Sequence, residues 1–171
     1  MPAKEKRVRY RVGRAPQWAL EELRSYLAGI GVDPTQFVGG GPLGLTCFGD
    51  LCLIHGGRCT LDGLRCVWEG QWIGVIARGR AAPSTTLAEE AFRAAGGPRG
   101  AVVVDERAAS LFLYGRDLFP GSVLELKPPP LKLLAVVDRV DGRVLGFVEW
   151  DEDREMYANV YDLGIFLRVL G

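Results

Sequence analysis

The chain has 171 residues, 48% hydrophobic and 25% charged, with 21 basic residues balanced by 21 acidic ones. That length supports one medium domain or two small ones, the composition is that of an ordinary globular protein, and a zero net charge supplies no overall field toward nucleic acid or a membrane. No stretch approaches the roughly 18 apolar residues of a membrane span, and the charged start MPAKEKRVRYRVGRAP has no apolar core of a secretory signal, so the sequence reads as soluble, intracellular and cytoplasmic.

The charge is unevenly spread. Residues 1–96 carry 12 Lys and Arg against 9 Asp and Glu, and residues 97–171 carry 9 against 12, so the halves are +3 and −3. Asn occurs once and Gln three times, a low amide content that points toward a thermophilic source.

In chain order, KRVRYRV alternates Arg7, Arg9 and Arg11 with Val8, Tyr10 and Val12, the period of a half-buried strand. Its cationic face is either a solvated edge or a strip facing phosphate. APQWALEELRSYLAGIG follows as an amphipathic helix, with Leu20, Leu23, Leu27 and Ile30 at helical spacing and Gly29 and Gly31 at its end. From Phe37 to Arg78 short strands broken by glycines are predicted: LGLTCF, LCLIH, LRCVW and WIGVIA, with Trp68 and Trp72 as core or rim residues. Thr86 and Glu89 have the spacing of a capping box, opening a helix that Gly96-Gly97 ends. The first half, residues 1–96, is thus an α+β unit: an antiparallel sheet with flanking helices.

GGPRG (96–100) marks the boundary, because Gly and Pro concentrate there and the pattern changes after it. Beyond it come a buried strand GAVVVD, a short helix ERAASLFLY, the Gly115–Gly121 loop, and a strand SVLELK. Then follow PPP and a β-rich run centred on Asp141-Gly142, the strongest hairpin signal in the chain. YANVYD adds a strand and LGIFLRVL a final helix or strand. So many short strands in residues 97–171 indicate a small barrel or sandwich.

Catalytic machinery is not in evidence. There is one histidine, His55, and GGGPLG lacks the Lys-Ser/Thr of a phosphate loop. The adjacent pairs Glu21-Glu22 and Glu89-Glu90 sit on predicted helices, where neighbours point apart and face solvent. Cys52 and His55 are an odd number apart on a strand, hence on opposite faces. Cys47, Cys52, Cys59 and Cys66 lack the close pairs of a zinc site and read as buried thiols, or as disulfides in a hyperthermophile. The expectation is a protein that is not an enzyme, with no cofactor and no metal.

GAVVVDERAASLFLYGRDLFPGSV resembles the start of a PUA domain, the small RNA-binding barrel of pseudouridine synthases and archaeosine transglycosylases. The features that carry the resemblance are Val102 to Asp105, Ala108-Ala109, Gly115, Arg116, Pro120-Gly121 and Val123, with Gly146 in the later strand GRVLGFVEW. The whole chain, through SLFLYG and the ending YDLGIFLR, is similar to the Nip-seven family of ribosome biogenesis factors. The resemblance implies an α+β domain over residues 1–96 and a PUA-like small β-barrel over 97–171. It also implies large-subunit assembly, binding of single-stranded, U-rich pre-rRNA, and protein partners such as the archaeal exosome or ribosome-assembly proteins.

In that frame Gly115 lets the backbone turn, and Arg116 reaches a phosphate or stacks on a base. Asp117 fixes Arg116 or caps the loop, and Phe119 offers a stacking face. Arg154 and Arg168 carry over as RNA contacts near the C-terminus. Arg139 and Arg143 form a second cationic site at the hairpin tip, and Lys127 and Lys132 a third around PPP. One departure stands out: EWDEDRE (149–155) places five acids around Arg154, where the family face is basic. Those acids repel phosphate unless they face away, and they suit a basic protein partner instead.

Overall fold

The structure is a computed structural model that describes residues 9–56 and 70–170. Arg7, Cys59, Cys66, Trp68 and the expected strand LRCVW lie outside the described residues.

The first half runs β1 (Arg11–Arg14), α1 (Gln17–Gly29), β2 (Gly44–Phe48), β3 (Leu51–Gly56), β4 (Gln71–Ala77), β5 (Arg80–Pro83) and α2 (Thr85–Ala94). Its five strands form an antiparallel sheet in sequence order, β1-β2-β3-β4-β5. Helix α1 buries Leu20, Leu23, Leu27 and the following Ile30, the stripe expected from their spacing. The second half runs β6 (Ala101–Val104), α3 (Glu106–Leu113), β7 (Val123–Lys127), β8 (Leu133–Asp138), β9 (Val144–Asp151), β10 (Met156–Asp162) and α4 (Ile165–Leu170). Its sheet has the order β10-β9-β8-β6-β7, with β6 and β8 parallel and the other pairs antiparallel. The edges β10 and β7 do not pair directly; the loop leading into β7 bridges to β10 through Leu118 and Tyr157.

This second sheet is covered on both faces, which is why β6 and β8 read as unbroken apolar runs rather than alternating ones. On one face Ala108, Ala109 and Phe112 of α3, with Leu118 of the following loop, cluster with Val102, Val104, Val136 and Val148 of the sheet. The other joins the first half in a single apolar cluster. Phe147 lies there between Tyr26, edge-on at 5.3 Å, and Tyr161, stacked at 5.8 Å. Each tyrosine crosses the seam: the Tyr161 hydroxyl donates to Pro83 O at 2.6 Å, and the Tyr26 hydroxyl to Gly100 O at 3.4 Å. Burial pushes both phenols well above their ordinary pKa, so both stay protonated donors.

Local structure departs from the sequence reading in several places. Strand β1 begins only at Arg11 and all four of its residues are exposed, so no apolar face of it is buried. The cap of α2 is Ser84, whose Oγ accepts from Leu87 N–H at 3.0 Å, because the helix starts two residues earlier than the Thr86 box requires. Glu89 is thereby free to accept from Val144 N–H at 3.1 Å, across the seam. Glu22 accepts from Ala81 N–H at 2.8 Å, so one carboxylate of each adjacent pair faces protein, not solvent. Strand β5, RAAP, has no β-branched residue and was not anticipated; it forms because Arg78-Gly79 turns β4 back on itself. Cys47 and Cys52 face each other across β2 and β3 as a disulfide, and His55 Nε2 lies 2.9 Å from Thr46 Oγ1. Among the described residues no His, Cys, Asp and Glu cluster could hold a metal ion, and no helix is long and apolar enough to cross a membrane.

Candidate nucleic-acid interface

The Gly115–Gly121 loop is built from both ends. Asp105 caps α3 by accepting from Ala108 N–H at 2.8 Å. The helix closes in a Schellman arrangement: Gly115 N–H donates to Phe112 O at 2.8 Å and Arg116 N–H to Leu111 O at 3.2 Å. That closure needs a left-handed residue, and Gly115 has φ +86°. The conformation favours glycine, and a Cβ there would also sit 3.1 Å from the Arg168 guanidinium, which would have to shift slightly to admit it.

Past the turn, the chain alternates anchored and exposed residues. Asp117 Oδ1 accepts from Asn159 N–H and its Oδ2 from Arg154, each at 2.8 Å. Leu118 is buried and exchanges two backbone hydrogen bonds of 2.9 Å with Tyr157. Between and beyond these anchors Arg116 and Phe119 are exposed, Phe119 by 64%. Asp117 therefore fixes Asn159 and Arg154, not Arg116, whose guanidinium has no ion-pair partner among the described residues.

Asn159, the only Asn in the chain, is the hub beneath the loop. Its buried amide donates to Phe112 O, Arg116 O and Asp162 Oδ2 at 3.3, 3.4 and 3.1 Å. Asp162, fully buried, takes the Arg168 guanidinium at 2.7 Å, and Arg168 also donates to Leu113 O at 2.7 Å. Arg168 thus ties α4 to the end of α3 and walls the Gly115 turn. The close approach of β9 and β10 at this level explains Gly146: a Cβ there would overlap the Tyr161 carbonyl.

The other anticipated cations are scattered. Arg154 is bound to Asp117 and lies 3.9 Å from Asp151. Arg143 lies 3.9 Å from Glu89, while Arg139 is exposed at the β8–β9 turn. Lys127 pairs with Glu125 at 2.6 Å and Lys132 with Glu149 at 2.8 Å. Arg116, Phe119, Gly115, Arg154 and Arg168 therefore converge on one loop, while Arg139 and Arg143 sit at a separate turn.

Beside the loop a cleft of about 1050 Å³ opens between the β4–β5 hairpin and the β9–β10 hairpin. Arg78, Arg80, Lys132 and Arg154 line it together with Asp117, Glu149, Asp151 and Glu152. Trp150 and Tyr157 also line it, packed edge to face at 4.9 Å. Most of these acids are engaged. Glu149 binds Arg80 and Lys132, both at 2.8 Å, although the Arg80 Nε contact is off the N–H axis and so is ionic rather than a hydrogen bond. Asp151 Oδ1 accepts from Asp153 and Arg154 N–H groups, each at 3.1 Å, and so shapes the β9–β10 turn. Asn159, Asp162, Arg78, Trp150 and Tyr157 were not singled out from sequence as site residues. The one signal available was the solitary Asn159 in an otherwise amide-poor chain.

Residues 100–171 match the family model described as the UPF0113 PUA domain. No curated protein matches the chain. Solved structures share the fold along nearly the whole length. A conserved PUA domain protein from Thermoplasma acidophilum is 16% identical, with a TM-score of 0.55 over 90% of this chain and 95% of that one. A hypothetical protein from the hyperthermophilic archaeon Pyrococcus horikoshii is 14% identical, with a TM-score of 0.58 over 90% and 93%. A PUA domain from Aeropyrum pernix, solved as a tartrate complex, is 18% identical, with a TM-score of 0.53 over 95% and 91%. The strand, capped helix, glycine-hinged loop and four further strands described above are the elements over which the C-terminal half of this chain matches the PUA-domain model.

Proposed function

We propose that this protein is an RNA-binding assembly factor for the large ribosomal subunit, of the Nip-seven type, which contacts single-stranded, U-rich pre-rRNA through its PUA domain. PUA domains generally bind RNA. The observation that carries the reading is the loop at 115–121: Asp117 and Leu118 fix its backbone, and Arg116 and Phe119 are left as an exposed cation and an exposed ring on that fixed frame. A guanidinium and an aromatic face on a rigid loop suit unstacked bases and their phosphates. The role is one of binding, without catalysis, inside the cell.

Fluorescence anisotropy with labelled oligouridine and a mixed-sequence control, each at two salt concentrations, tests it. Salt-dependent binding with a uridine preference supports the reading; no binding at micromolar protein refutes it.

A second reading, a protein adaptor for the exosome or a ribosomal protein, has its own observation. Tyr114 and Leu167 are 78% and 80% exposed, and Leu111 is exposed as well, around the contact between α3 and α4. Large apolar side chains left open in this way mark protein contacts. A pull-down that loses its partner on Tyr114→Ser with Leu167→Ser, while RNA binding persists, would separate the two roles.

A further inference from the structure

The β4–β5 hairpin of the first half turns through two residues, Arg78 and Gly79, with φ +52° and +73°. Both in the left-handed region make a type I′ turn, whose first position ordinarily takes Asn, Asp or Gly. An arginine there is held in a sparsely populated conformation, which persists only where the surroundings fix it. Its guanidinium makes no ion pair among the described residues. It donates instead to the main-chain carbonyl of Asn159, 81 positions away in β10. The β9–β10 ladder is interrupted there, with an extra residue at Val160.

Asn159 is the residue on which the RNA loop hangs: its N–H is bound by Asp117 and its amide donates to Arg116 O. Arg78 is thus one bond from the hub and two from both the anchored and the exposed part of the loop.

We infer that Arg78 is a positioning residue, through which the first half of the chain sets the geometry of the RNA-binding loop in the second. The inference rests on the RNA reading of that loop, and a part of its test does not. The hairpin tip acts as a strut: the left-handed turn aims the guanidinium, and the guanidinium fixes the bulged strand that carries Asn159.

Arg78→Gly and Arg78→Asn both remove the strut while relieving the strained turn position, and the Asn159 carbonyl they uncover is only part-buried beside the open cleft, where water can replace the donor, so neither should lower the melting temperature. In RNA-free protein, amide hydrogen exchange at Arg116, Leu118 and Asn159 should speed up in both variants. Affinity for labelled oligouridine should fall about two- to thirty-fold, the range for a residue that acts through another. The slope of log affinity against log salt should not change, because no phosphate contact is lost. Unchanged exchange at the three amides overturns the inference. A slope smaller by about 0.7 makes Arg78 a direct phosphate contact and also overturns it. A melting temperature lowered in both variants makes it a general stability element and does the same. If the wild-type protein does not bind oligouridine, the RNA reading fails while the exchange experiment still decides whether the strut exists.

Discussion

Asp117 sits where the fold and the proposed interface meet, and two substitutions there should move stability and RNA affinity in separable ways. Asp117→Asn keeps an oxygen for the Asn159 N–H and removes the negative charge beside Arg154. The Asp117–Arg154 pair is half in solvent, with Arg154 55% exposed, so its loss costs about 0.2–1 kcal/mol, at most some 4 °C in melting temperature. Arg154 is left with only its 3.9 Å contact to Asp151 and becomes available to phosphate. Oligouridine affinity should therefore rise, with a salt slope steeper by about 0.7, the increment of one further phosphate contact on a single strand. Asp117→Ala releases the same arginine but strands the Asn159 N–H beneath the loop, at about 1–3 kcal/mol, or some 2–12 °C. Anisotropy titrations over a salt series and thermal melts read both quantities. If Asp117→Asn weakens RNA binding with its melting temperature intact, Arg154 does not face RNA and the placement of the interface is wrong.

Three other outcomes are expected. Arg116→Ala should weaken oligouridine binding and flatten its salt slope by about 0.7 without changing the melting temperature, since its side chain has no ion-pair partner; unchanged affinity removes it from the site. Gly115→Val should lower the melting temperature, because valine at φ +86° is strained and its Cβ crowds the Arg168 guanidinium; a wild-type melt would mean the Schellman turn adjusts. Tyr161→Phe should cost about 1–3 kcal/mol by leaving the buried Pro83 carbonyl without its donor, and a single melting transition should be retained because the apolar cluster runs through both halves; two transitions would refute the shared core.

The parts of this fold visible in the sequence are those set by local chemistry. The α1 stripe, the apolar run of β6, the Gly115 hinge and the Asp141-Gly142 turn each have a short-range cause. The 115–121 loop was legible as a loop for the same reason: its glycines, proline and arginine lie within a few positions. What escaped depended on partners far along the chain. Glu89 looked like a capping residue because its real acceptor role, toward Val144, lies 55 residues away. Strand β5 has alanines that carry no strand signal, and it exists because β4 and α1 give it surfaces to cover. Arg78 could not be distinguished from any surface arginine until β10 was placed beside it.

The acidic character of the second half also changes meaning once partners are known. On paper residues 97–171 are net negative, and EWDEDRE lies next to the loop that should meet phosphate. In the fold, Glu149 is neutralised by Arg80 and Lys132, Asp162 by Arg168 and Asp117 by Arg154. Asp105, Asp138, Asp141 and Asp151 accept backbone N–H groups at a helix start or in turns. These carboxylates are spent on shaping loops, and their fields close locally on their partners. Within the 115–121 loop the one acid, Asp117, is paired, and Arg116 is the exposed cation. Net charge is a poor guide to such a surface, because short-range pairing fixes where each charge is felt and screening removes the rest beyond about 10 Å. Of the acids that remain open in this half, Glu106 lies at the start of α3 while Glu152, Asp153 and Glu155 crowd the β9–β10 tip, so under the proposed reading RNA following the loop would be steered away from that tip and toward the exposed Tyr114 at the far end of α3.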